Sequence, residues 1–92
     1  MTTEQAIQKI ENTLNMSFEL FSKDSDWQPI IATRNQLYYL KNMLEKKSDK
    51  SKLNEINIGL IAVREFENDY EDFASMIYEI VDIVRLLKNN RL

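Results

Sequence analysis

The sequence predicts an all-α protein, a small antiparallel four-helix bundle-like domain occupying residues 1–92, on three observations. Gly59 and Pro29 are the only glycine and proline, whereas a sandwich or barrel needs turn residues at every hairpin. Apolar residues recur at steps of three and four, the period of a helix face rather than a strand, in four separate stretches. The segments between those stretches are short and polar, as connections between antiparallel helices are.

The first helix opens at Thr2, whose hydroxyl can cap while Gln5 reaches back to complete a capping box. Ile7, Ile10, Leu14, Phe18 and Phe21 form its apolar face, widened by Met16 and Leu20. The polar run from Ser22 to Asp26 is a turn. A second helix starts near Trp27, with Asp26 as cap and Pro29 in the first turn, where its missing N–H costs nothing. Ile30, Leu37, Leu40 and Leu44 give its buried face, and the lysine-rich run from Lys46 to Lys52 is a loop. The third helix is expected from about Leu53 to Phe66, burying Leu53, Ile56, Leu60 and Val63. Gly59 in its middle costs ~1 kcal/mol relative to alanine, which a close neighbour approaching the bare backbone would offset. Asn68 or Asp69 caps the last helix, with Glu71 and Asp72 in its first turn. Its face of Tyr70, Phe73, Ile77, Ile80, Val84 and Leu87 keeps the helical period over enough turns to outweigh its β-branched residues. Trp27, Phe18, Phe21, Phe66 and Phe73 are assigned to the core.

Composition removes whole classes of chemistry. The chain has no cysteine and no histidine, so it has no disulfide, thiolate nucleophile, Cys/His zinc site or imidazole base. The carboxylates between Glu65 and Asp72 lack the glycine of a calcium loop, and no metal, cofactor or catalytic residue is assigned. The net charge of −3 disfavours nucleic acid, which needs a basic stripe. No apolar run approaches a membrane span, and the start of the chain resembles no export signal, so a cytoplasmic location is expected.

The charge is unevenly placed. Glu65, Glu67, Asp69, Glu71, Asp72, Glu79 and Asp82 lie between Glu65 and Val84 with no lysine or arginine among them. A solvated helix face accounts for such a block. So does a patch that docks on a basic surface and speeds encounter by electrostatic steering. Of the neighbours Tyr38 and Tyr39, which diverge by about 100° around a helix, one should face outward, and Tyr39 is taken as the interface candidate. Arg64 either pairs with an acid or lines a surface near Gly59.

Two segments carry a resemblance. Arg34-Asn35-Gln36-Leu37-Tyr38-Tyr39-Leu40, with its Gln-Leu-x-Tyr core, precedes the charged loop. The stretch from Gly59 to Glu67 then reads Gly-x-Ile-Ala-Val-basic-Glu-Phe-acidic. Together they resemble the type VI secretion immunity family whose best-known member neutralises an NAD(P)+-glycohydrolase effector. The likeness covers Ile30 to Asp72, and both ends of the chain depart from the pattern. It implies a helical, non-enzymatic cytoplasmic protein that binds the toxic C-terminal domain of a cognate effector and blocks its substrate cleft. A toxin cleft that holds an anionic dinucleotide should be basic, which makes an acidic immunity surface its complement. The expected contact residues are Glu65, Glu67, Asn68, Asp69 and Asp72, with Tyr39 and Arg64 at the margin. The alternative is a self-associating helical module, a homodimer through the fourth helix, whose apolar residues fall on more than one side.

Overall fold

The capping box forms. Thr2 Oγ1 accepts from the Gln5 N–H at 3.1 Å, and Gln5 Oε1 accepts from the Thr2 N–H at 2.9 Å, opening α1 (Thr3–Leu20). The computed structural model describes residues 1–46 and 49–92, so Lys47 and Ser48 of the expected loop lie outside the described residues. α1 buries Ala6, Ile10, Thr13, Leu14 and Ser17. Phe18, assigned to the core by its spacing, is 40% exposed. It lies on the edge of the buried face, and its ring carries the Arg34 guanidinium, 4.2 Å from the ring centre.

α2 (Gln28–Lys46) has Trp27 rather than Asp26 at its boundary: the Trp27 carbonyl accepts from the N–H groups of Ile30 and Ile31, both at 3.1 Å. Pro29 sits in the first turn as expected. The face of Ile30, Leu37, Leu40 and Leu44 is buried, together with Thr33, Met43 and, unusually for a charged residue, Arg34. Arg34 terminates α1. Its Nε donates to Ser17 Oγ at 3.0 Å, Nη2 to the carbonyls of Ser17 and Phe21 at 2.9 and 3.1 Å, and Nη1 to the Ser22 carbonyl at 3.0 Å. α1 has no basic residue in its own last turn, so the neighbouring helix supplies the donors that its final carbonyls lack.

The expected third helix is broken. A 3₁₀ turn (Leu53–Glu55) is followed by extended backbone at Ile56, then by α3 (Ile58–Ile61), which widens without a break into a π-helical turn (Ala62–Phe66) closed by Glu67 N–H to Ala62 O at 2.9 Å. The break has a cause. Gln36 of α2 grips Asn57 twice, accepting from its N–H at 2.8 Å and donating to its Oδ1 at 2.7 Å, which fixes where the helix can restart. The buried stripe shifts accordingly. Leu53, Ile58, Ala62 and Phe66 are buried, while Leu60 and Val63, expected inside, are 50% and 52% exposed.

α4 (Glu71–Lys88) starts behind Tyr70, which makes no side-chain cap, rather than behind Asn68 or Asp69. Glu71 and Asp72 occupy its first turn as the sequence indicates, and Phe73, Ile77, Ile80, Val84 and Leu87 are buried. Its several apolar sides are explained by position: α1 and the α3–π segment both pack against it. Gly59 belongs to that contact. A Cβ at Gly59 would lie 3.1 Å from Val81 Cγ2, so the neighbour that comes close to the bare backbone is α4.

Ion pairs give the topology. Lys41 meets Glu11 at 3.6 Å and Arg34 meets Ser17, while Lys9 meets Glu79 at 3.3 Å and the Phe21 ring lies 6.2 Å from that of Phe73, so α2 and α4 both run antiparallel to α1. Three long helices thus form the body, and the α3–π segment bridges α2 and α4. Among the described residues there is no strand.

Candidate partner-binding surface

One end of the bundle is held by aromatic rings. Phe21 and Trp27 come from the α1–α2 connection, and Phe66, Tyr70 and Phe73 come from the π-turn and the start of α4. Their centroids lie 4.8–6.5 Å apart in tilted and edge-on pairs, from Phe21–Tyr70 at the short end to Phe66–Tyr70 at the long end. Phe66 and Phe73 are fully buried. These anchors decide where the polar residues between them go. Glu65, Glu67, Asn68, Asp69, Glu71 and Asp72 interleave with Phe66, Tyr70 and Phe73, and all six are exposed.

The expected contact residues Arg64, Glu65, Glu67, Asn68, Asp69 and Asp72 therefore share one exposed stretch at this end. The π-turn contributes its wider backbone, which presents Val63, Arg64 and Glu65 outward while returning Phe66 to the core. Among the described residues, none of these charged groups takes part in a salt bridge. The carboxylates do not converge either: among the described residues no group of three or more acids is placed to hold a metal ion. The arrangement is a spread of exposed, mostly negative charge above a buried aromatic cluster.

Tyr39 lies elsewhere. It is half-buried against the core, its hydroxyl donates to the Asp49 carbonyl at 3.0 Å, and it lines a groove with Asn35, Gln36, Lys52, Glu55 and Ile56. Asp49 is itself fixed, accepting from the Ser51 N–H at 2.8 Å, and hydrogen bonds from the Ser51 side chain and then its backbone hold the carboxyl below the usual carboxylate range. Of the tyrosine pair, Tyr38 is the exposed one, at 44%.

Sequence reasoning missed the apolar part of this surface. Leu60 and Val63 precede Arg64 and Glu67 by one helical step each and face solvent with them. Between Ile56 and Val63 the chain has more apolar residues than one helix face can bury, and that excess was the available signal. Tyr78 is a second missed feature. Its hydroxyl is shut off from solvent, with no partner in hydrogen-bonding geometry among the described residues. Burial, and after it the Glu67 carboxylate, push its pKa above the ordinary phenol value.

No helix among the described residues is long and apolar enough to cross a membrane. No curated protein and no solved structure matches the chain. The family model of Tsi6 does match, from residue 5 to residue 85, through all four helical segments and the whole exposed acidic stretch; the chain belongs to the Tsi6 family, a type VI secretion immunity family.

Proposed function

We propose that this protein protects a cell against a type VI secretion effector by binding the effector's toxic C-terminal domain in the cytoplasm and occluding its substrate cleft, without chemistry of its own. The cleft is that of an NAD(P)+-consuming toxin. Membership of the immunity family along residues 5–85 is the observation that carries this reading. The docking surface is the exposed stretch Arg64, Glu65, Glu67, Asn68, Asp69 and Asp72, with the exposed Leu60 and Val63 at its α3 edge. It joins exposed apolar and acidic side chains above a buried aromatic cluster, the mixture that interfaces use. A basic, dinucleotide-binding cleft is its electrostatic complement. Tyr39 contributes by holding the neighbouring loop through Asp49 rather than through a free hydroxyl.

The test is co-expression with the toxin domain encoded beside this gene. Growth should be restored, cellular NAD(P)+ preserved, and the two chains should co-purify. A Glu65→Lys, Glu67→Lys double variant, folded as judged by circular dichroism, should lose most of its affinity. Unchanged affinity removes that patch from the interface. A toxin that kills without depleting NAD(P)+ removes the proposed chemistry while leaving the immunity role. The self-associating alternative is weakened by α4, whose apolar sides are covered by α1 and the α3–π segment, and sedimentation at micromolar concentration decides it.

A further inference from the structure

Where α1 ends beside the start of α4, a surface groove of about 280 Å³ opens at the acidic end of the molecule. Its floor is apolar: Met16 and Leu20 from α1, Tyr70 and Phe73 from the aromatic cluster. Leu20 is 41% exposed there, although it follows the buried Thr13 and Ser17 along one side of α1. Its rim is acidic on the α4 side, where Asp69, Glu71 and Asp72 all face solvent. The helix N-terminus beneath them amounts to about half a positive charge, which three carboxylates exceed.

The groove is smaller than the roughly 300–1,000 Å³ of small-molecule sites, and it is large enough for one long side chain. An apolar floor next to a carboxylate rim suits one kind of occupant, a side chain with an aliphatic stem and a cationic head. Tyr70 strengthens the match, because an aromatic face attracts a guanidinium or ammonium group. We propose that this groove is the pocket that receives an arginine or lysine side chain of the toxin domain, its stem on Leu20 and Met16 and its head between Asp69 and Asp72. The inference rests on the immunity reading and adds to it a defined anchor point, with Leu20, Met16 and Tyr70 as contact residues that the charge pattern alone does not select.

The experiment measures affinity of the purified full chain for the toxin domain encoded beside its gene, by calorimetry at 50 and 300 mM salt. Asp69→Asn with Asp72→Asn should weaken binding at least tenfold at low salt and flatten the salt dependence. Leu20→Ser should weaken it several-fold with the salt dependence unchanged, since it removes the stem's contact and not the charge. Thermal melts establish that each variant is folded, and Leu20→Ala is the second variant if Leu20→Ser melts early. Equal affinity of the wild type and both groove variants overturns the pocket while leaving the immunity role intact. A wild-type chain that does not bind the toxin at all overturns both. Within a confirmed complex, the arginines and lysines of the toxin are then replaced singly by methionine. One of them should reproduce the loss seen with the aspartate variant and show no further loss when combined with it; independent, additive losses overturn the assignment.

Discussion

Replacing Arg34 by methionine tests how the bundle ends its first helix. The substitution keeps an unbranched apolar stem, and it removes the guanidinium from the Phe18 ring together with four hydrogen bonds, to Ser17 Oγ and to the carbonyls of Ser17, Phe21 and Ser22. Hydrogen bonds from a charged donor contribute about 1.5–3 kcal/mol each, but these four do not add in full. Ser22 is exposed, so its carbonyl can turn to water. The Ser17 carbonyl keeps the Phe21 N–H at 2.9 Å, and Ser17 Oγ keeps its own bond to the Leu14 carbonyl at 2.6 Å. Only the half-buried Phe21 carbonyl is left with a strong deficit. The expected loss is therefore about 3 kcal/mol, roughly one strong bond plus fractions of the others. For a chain of this size that is about a fifth to three-fifths of the total stability and lowers Tm by about 12–24 °C.

Circular dichroism melts and urea unfolding measure it. Arg34→Lys retains the charge but not the planar fork and should fall between the two. All four acceptors are neutral oxygens, so the loss should be the same at 50 and 500 mM salt. A Tm within 3 °C of the parent for Arg34→Met, or a loss that vanishes in salt, refutes the reasoning.

Three further outcomes are expected. Tyr78→Phe removes a buried hydroxyl that, among the described residues, has no partner in hydrogen-bonding geometry, and should stabilise the fold by up to about 1 kcal/mol in urea. Because the folded pKa of Tyr78 lies above its ordinary 10.0, its contribution is present below pH 10 and lost as pH rises through the folded value; Tyr78→Phe should lose less stability on alkaline titration than the parent. Gly59→Ala should be close to neutral alone, the ~1 kcal/mol propensity gain being cancelled by the 3.1 Å approach to Val81 Cγ2, and clearly stabilising when made in a Val81→Ala background. Additive effects in that double-mutant cycle would contradict the contact. Gln36→Leu should cost about 1–2 kcal/mol by removing both bonds to Asn57, and hydrogen exchange should accelerate first at Leu60, Ile61 and Ala62. Protection unchanged at those amides would mean that Gln36 does not fix the start of α3.

The two segments that carry the family likeness are largely scaffold. Arg34 closes α1, Gln36 grips Asn57, Gly59 admits Val81 and Phe66 anchors the aromatic end. None of those roles is visible in spacing, because each joins residues from different helices. The acidic residues were legible in the sequence as a block, and their exposure follows from the aromatic anchors between them.

What the sequence determines by itself is what local physics decides. The helical class follows from the apolar period and the lack of turn residues, the start of α1 from a capping box four residues wide, and the absence of imidazole and thiol chemistry from composition alone. The buried faces of α2 and α4 also follow, since each is one unbroken helix whose period holds from end to end. Only the tertiary structure decides the third segment. A single cross-helix grip at Asn57 and the π-turn after Ile61 shift its register, so that Leu60 and Val63 face solvent and Phe66 faces the core. The groove beside Leu20 arises in the same way, from the meeting of two helix ends far apart in the chain, and periodicity within either helix carries no trace of it.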